Sequence, residues 1–258
     1  MKTGLIMEGG AMRGMFTAGV IDVLMEAGVS FDGAIGVSAG AVFGCNYKSR
    51  QIGRVIRYNK AYCQDPRYVS FRSLLKTGDI YGEQFCYHEL PDRLDPFDVK
   101  TYAENPMNFY VVCTDADTGK AVYHNCLKGD AEDIQWMRAS ASMPALSRFV
   151  KLDSYSLSDG GTADSIPVRF FESIGYDRNV VILTQPEGYV KKPNQLLPLL
   201  RILLWKNPAL IHALENRHER YNETLAYIRE QERSGNLLLI RPEAPLNIGA
   251  VERHPEEL

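Results

Sequence analysis

Two short apolar runs in the first fifty residues, Gly4-Leu5-Ile6-Met7 and Gly33-Ala34-Ile35-Gly36-Val37, constrain the fold more than any other feature. Runs of this length bounded by turn formers read as buried strands. Between them Phe16, Val20, Val23 and Leu24 recur at the three- and four-residue spacing of a helix, and Gly28 supplies its stop. Strand, helix and strand make a βαβ unit, whose crossover sets the two strands parallel. Small and apolar residues over 39–47 then predict a helix packed under the second strand's end. Downstream, residues 109–114 and 121–124 read as a hairpin around the turn Asp115-Ala116-Asp117-Thr118-Gly119. A helix is expected over 132–142, ended by Pro144, and strands over 155–158 and 179–184. From Asn207 and Pro208 a single helix is expected to run to Gly235, with Leu210, Leu214, Tyr221, Leu225 and Ile228 on one stripe. Residues 237–240 close the sheet, and helix-like pieces fall at 52–62 and 82–90. The expected class is α/β with a mainly parallel sheet.

With 258 residues and 45% hydrophobic content, one domain can bury a sizeable core. A single unit over 1–258 is expected, with a core over about 3–184 and C-terminal helices plus a final strand over about 195–241. The net charge of -3 provides no basic field for nucleic acid, so membrane affinity has to be local. Cys45, Cys63, Cys86, Cys113 and Cys126 are odd in number and scattered without a C-x-x-C pair, so free buried thiols are expected and no metal site. Glu8 interrupts the N-terminus before a signal-peptide core forms, and the apolar run 196–205 is too short to span a bilayer. A cytoplasmic location with peripheral membrane contact is expected.

The second strand runs into Gly36-Val37-Ser38-Ala39-Gly40, a G-x-S-x-G nucleophile elbow in which Ser38 is exposed at the sheet edge. A serine nucleophile needs a base for its proton and N–H donors for the developing oxyanion. The loop Gly9-Gly10-Ala11-Met12-Arg13-Gly14 follows the first strand and opens on the same edge of a parallel sheet. The N–H groups of Gly10, Ala11 and Ala39 are therefore the candidate oxyanion donors. A dinucleotide fingerprint would need glycine at position 11 and an acid after the second strand, where Ala11 and Ser38 stand.

Together with the downstream Asp159-Gly160-Gly161, these motifs make the chain resemble the bacterial patatin-like phospholipases, a family of serine lipid acyl hydrolases. The segment Arg138-Ala139-Ser140-Ala141-Ser142-Met143-Pro144 also resembles the family's stretch before the acid motif. The resemblance implies a three-layer α/β/α sandwich and a Ser-Asp dyad without histidine, Asp159 acting on Ser38. It implies a lipid or other acyl-ester substrate and no cofactor. Ala11 departs from the family's third glycine, and Glu8 from its preceding aspartate. Arg13 can meet a substrate phosphate or a structural carboxylate, and the loop-ordering role is favoured. The rival Ser-His-Asp triad would draw on His212, His218 or His254, and Asp115, Asp117, Asp153 and Asp164 read as turn or surface acids. The basic and apolar stretch 191–206 reads as a surface that touches a lipid interface or covers the acyl pocket, and equally as a buried helix. The alternative function is a lipid-binding or regulatory protein with little turnover.

Overall fold

Side chains alternate across the first strand, and Leu5, Ile6 and Met7 are all fully buried, so the sheet is covered on both faces. The computed structural model describes residues 1–258. Its strands are β1 (Lys2–Met7), β2 (Gly33–Val37), β3 (Asn108–Asp115), β4 (Ala121–Asn125), β5 (Val150–Leu152), β6 (Tyr155–Asp159), β7 (Tyr176–Ile182) and β8 (Leu237–Ile240). The helices are α1 (Gly14–Glu26), α2 (Ala39–Lys48), α3 (Arg54–Tyr62), α4 (Phe71–Thr77), α5 (Val99–Glu104), α6 (Ala131–Ser140), α7 (Val168–Ser173), α8 (Leu197–Leu203), α9 (Pro208–Glu215) and α10 (Arg217–Arg233).

One sheet runs in the order β5-β6-β3-β2-β1-β7-β8, with β4 also paired to β3. The strands β3, β2, β1, β7 and β8 are mutually parallel, and β4, β5 and β6 join antiparallel beside β3. On one face Leu5 and Met7 pack with Ile21 of α1, Ala41 and Cys45 of α2 and Trp136 of α6. On the other, Ile6, Ile35 and Val37 meet Val168 and Phe171 of α7 and Tyr221, Leu225 and Ile228 of α10. This is the expected α/β/α sandwich. A third cluster, with Phe43, Val55, Tyr58, Tyr68, Phe85 and Leu90, joins α1 and α2 to the segment that follows them.

Several expectations are corrected. Val23 faces out of α1 at 62% exposure, so the buried stripe runs through Met15, Ala18 and Ile21. The expected long C-terminal helix breaks at Asn216, because its halves have different partners. Leu210 and Leu214 pack with Leu200 and Leu204, whereas Tyr221, Leu225 and Ile228 pack on the sheet. The piece at 82–90 is a π-helix, Phe85–Leu94, and Pro91 inside it lacks the N–H that a regular helix would use. The helix expected over 132–142 starts one residue earlier, where Asp130 accepts from Asp133 N–H, and it ends at Ser140. The edge strand β5 was not legible at all, since three residues are too few for a period. All five cysteines are free, four buried and Cys86 half-buried.

Candidate active site

The strand β2 ends at Val37 and α2 begins at Ala39, which leaves Ser38 alone in the turn at φ 55 and ψ -119. A non-glycine residue held there costs on the order of 1–3 kcal/mol, so other contacts must fix it. Ser38 N–H donates to Ser140 Oγ at 2.9 Å, and that hydroxyl donates onward to the Val112 carbonyl at 2.6 Å. The flanking glycines are required by close approach. A Cβ on Gly36 would strike the Gly40 carbonyl, and one on Gly40 would strike the Met7 carbonyl.

Ser38 Oγ donates to Asp159 Oδ2 at 2.6 Å. Asp159 ends β6; its Oδ1 accepts from Gly161 N–H at 2.8 Å, its own N–H donates to the Ser142 carbonyl, and its carbonyl accepts from Thr114 Oγ1. Gly160 opens the turn that makes this return possible, packed against the Val112 backbone. Burial pushes the Asp159 carboxyl above the ordinary carboxylate value; the Ser38 hydroxyl, the Arg217 charge and Gly161 N–H offset part of that rise.

The glycine loop lies against the elbow. Gly9 packs on Ser38 Cβ and Val37, Gly10 on Thr184, and Gly14 opens α1 against Ala39 and Phe43. Ala11 adopts φ 49, the left-handed conformation that glycine would occupy without strain. Ala11, Met12, Ser38 and Ala39 all line one apolar cavity. The N–H groups of Gly10, Ala11 and Ala39 donate to no acceptor within the fold. Glu8, the residue in the aspartate position, is a buried strap: it accepts from Thr184 N–H at 2.6 Å and from the Tyr221 hydroxyl at 2.7 Å. Its carboxyl is pushed upward by burial. The loop-ordering ion pair expected of Arg13 is not formed. Arg13 Nε is buried without a partner, and no carboxylate lies within 4.0 Å of its guanidinium.

A model of patatin-like phospholipases matches residues 5–171, which span both motif loops and the Asp159 turn. The chain belongs to the patatin-like phospholipase family. A second model, of a domain of unknown function, matches residues 207–258. An uncharacterized protein of Escherichia coli, YjjU, is 27% identical over 95% of this chain and 70% of its own length. An uncharacterized NTE family protein of Mycobacterium bovis is 24% identical over 70% of this chain and 48% of its own length. Lysophospholipase nte1 of Aspergillus niger is 28% identical over 68% of this chain and 11% of its own. The chain thus spans about half of the mycobacterial relative and a small part of the fungal one.

Within this patatin-like site no histidine hydrogen-bonds to Ser38 or Asp159. His218 Nδ1 lies 2.9 Å from the Glu215 carbonyl, His212 contacts Asn216, and His254 contacts Glu252. Asp115 shapes the hairpin turn by accepting from Thr118 Oγ1, and Asp153 is exposed. Asp164 is not the surface acid expected, because it is half-buried and accepts from the Tyr123 hydroxyl at 2.8 Å. His124, Cys126 and Asp133 bring ligand atoms within 4.8 Å of one another, a grouping the cysteine spacing gave no hint of. Asp133 Oδ2 there accepts the N–H groups of Lys128 and Gly129, which gives it a structural use. Ser140 lies in the segment before the acid motif, Glu8 at the family's aspartate position and Tyr221 on the C-terminal stripe; their support of the site depends on tertiary contacts the sequence does not show.

The cavity that starts at Ser38 runs beneath α2 towards the π-helix, past Phe43, Tyr58, Cys86, Leu90 and Met137. Arg54 is the one charged residue lining it, and its guanidinium is already bonded to Asn46 Oδ1 and the Asp95 carbonyl. A slot of this kind suits a hydrocarbon chain.

Proposed function

We propose that the chain is a serine acyl hydrolase that cleaves lipid esters. The observation that carries this reading is the 2.6 Å bond from Ser38 Oγ to the buried Asp159, at the mouth of an apolar cavity. Ser38 Oγ attacks the ester carbonyl carbon while its proton passes to Asp159. The carbonyl oxygen becomes an oxyanion held by the N–H groups of Gly10, Ala11 and Ala39. Collapse breaks the carbon–oxygen bond, and the departing alcohol takes the proton from Asp159. Water then attacks the acyl-Ser38 ester, giving its proton to Asp159, and releases the fatty acid as Ser38 regains its hydrogen. The upward shift of Asp159 suits a base that must hold a proton briefly.

The surface around the cavity mouth supports contact with a lipid layer. Helix α8 buries Leu200, and Leu204 just after it is buried too, but the helix exposes Leu199, Ile202 and Leu203, and Leu196 and Trp205 beside it, at 52–70%. Lys192 and Lys206 flank this face, and Arg201 is bonded to Glu215. Helix α4 likewise exposes Phe71 and Leu75. Both helices adjoin residues 143–149: Leu74 of α4 shares a cluster with Met143 and Leu146, and Ala145 and Phe149 pack with Leu200. Met143 of that loop lines the cavity. No helix is long and apolar enough to cross a membrane, so such contact would be interfacial.

Hydrolysis of monoacylglycerols of graded chain length tests the function. The wild-type chain is expected to release fatty acid, and Ser38→Ala to release none; equal rates would remove Ser38 from the mechanism. Binding of lipid vesicles without release of fatty acid would instead support a lipid-binding protein.

A further inference from the structure

Three cations from three separate segments gather around Glu8 and the Asp159 turn without a carboxylate within 4.0 Å. Arg13 lies in the loop after β1, Lys191 between β7 and α8, and Arg217 opens α10. Some arginines elsewhere are bridged, as Arg57, Arg138, Arg201 and Arg241 are. By contrast, no acid stands within 4.0 Å of Arg13, Lys191 or Arg217, and the Nε atoms of Arg13 and Arg217 are buried without any acceptor. The adjacent acid, Glu8, attracts Lys191 and Arg13 only at longer range, its oxygens being hydrogen-bonded by Thr184 and Tyr221.

Their placement is specific. Arg217 Nη2 lies 3.1 Å from where a Cβ on Gly161 would stand, beside the residue whose N–H holds Asp159. Lys191 Nζ stands 4.6 Å over the ring of Tyr221, and Asn222 clamps the Lys191 backbone through both its amide N–H and its carbonyl. Lys191 and Arg217 line one open cleft with His218 and Asn194. Burial, followed by the charge of Arg217, pushes the Lys191 ammonium down to about 8, consistent with cations held close together. The cleft and the apolar cavity share no lining residue; Ser38 lines the cavity, and Arg217 of the cleft stands beside the Asp159–Gly161 turn.

We infer that Arg13, Lys191 and Arg217 form a phosphate-binding site, so that the preferred substrate is an acyl ester whose alcohol carries a phosphate monoester. Its acyl chain occupies the cavity and its phosphate the cleft, with the scissile carbonyl at Ser38. This rests on the hydrolase reading proposed above. It also gives the C-terminal segment a task, because Arg217, Tyr221 and Asn222 lie in the part matched to a domain of unknown function. A dianion matches three unpaired cations better than a choline-bearing diester, whose own cation would enter the same cleft.

Calorimetric titration of the full chain with inorganic phosphate, glycerol phosphate and a monoacylglycerol phosphate tests the site. The lipid phosphate is expected to bind at least about tenfold more tightly than inorganic phosphate, because it fills both compartments. Arg217→Gln and Lys191→Met should each weaken lipid binding about tenfold, and Arg217→Lys should recover part of the loss. In kinetics, the ratio of kcat/KM for monoacylglycerol phosphate over monoacylglycerol of equal chain length should exceed about ten and fall towards one in both variants. Equal affinity for inorganic phosphate and the lipid would overturn the lipid assignment. A wild-type ratio near one, with Ser38 still labelled by a fluorophosphonate, would overturn the phosphate site and leave the hydrolase standing. Failure of both esters to react, with Ser38 unlabelled, would sink the hydrolase, and the titration would then decide the phosphate site alone. If either variant fails to fold, the wild-type ratio and titration carry the test.

Discussion

Replacing Ser140 by alanine probes how the nucleophile is held. The Ser140 side chain is fully buried, accepts Ser38 N–H at 2.9 Å and donates to the Val112 carbonyl at 2.6 Å. Alanine fits the space but leaves the Ser38 N–H buried without an acceptor, at a cost of about 1–3 kcal/mol. The loss falls on a turn already strained at φ 55, so part of it should appear as misplacement of Ser38 Oγ. About 1.4 kcal/mol of lost positioning corresponds to a tenfold slower reaction. We therefore expect Ser140→Ala to lower unfolding free energy by about 2 kcal/mol in urea at unchanged m-value, and to slow ester hydrolysis about tenfold. Ser142→Ala is the control. The Ser142 hydroxyl donates to the Arg138 carbonyl, and no N–H depends on it, so its loss should cost under about 1 kcal/mol. If Ser140→Ala keeps full stability and rate, or if the two variants behave alike, the relay through Ser140 does not hold the elbow.

Further outcomes follow from other parts of the site. Ala11→Gly relieves the φ of 49 and should raise unfolding free energy by about 1 kcal/mol, read by thermal melting; a lower melting temperature would contradict the strain. The proposed mechanism requires the base form of Asp159, whose pKa is raised, so kcat/KM should fall with acid at a pH above the ordinary carboxylate range. The same shift sets a stability sign: the fold favours the protonated carboxyl, so ionisation is a penalty absent below the unfolded value near 3.8 and complete above the raised folded value. Asp159→Asn should thus melt higher than wild type at neutral pH, with the gap closing as pH falls below about 4; a gap that widens on acidification would refute the shift. Ile202→Asp, at a residue 70% exposed, should leave the melting temperature unchanged and weaken sedimentation with anionic vesicles about tenfold, the effect of losing one inserted aliphatic chain. Unchanged vesicle binding would remove α8 from the interface.

The parallel core was legible because its signals are local. Strands β1 and β2, the elbow between the glycines at 36 and 40, and the Asp159 turn announce themselves through short apolar runs and turn chemistry. What escaped depends on tertiary contact. Nothing near Glu8 in the chain points to Tyr221, 213 residues away, and the break at Asn216 exists only because the stripe's halves meet different partners. The three-residue β5 carries no readable period, and Pro91 inside a helix argues against the helix that forms. The 191–206 stretch left its readings balanced because α8 buries one side and exposes the other. That Arg13 lacks a carboxylate partner can be seen only in three dimensions.

Labelling with a fluorophosphonate followed by peptide mapping tests the central claim most directly, since the reagent reports an activated serine without knowledge of the substrate. The account predicts one labelled peptide, containing Ser38, with labelling abolished in Ser38→Ala and strongly slowed in Asp159→Asn. An unlabelled folded chain, label on another residue, or an Asp159→Asn chain that reacts at the wild-type rate would contradict the Ser38–Asp159 mechanism.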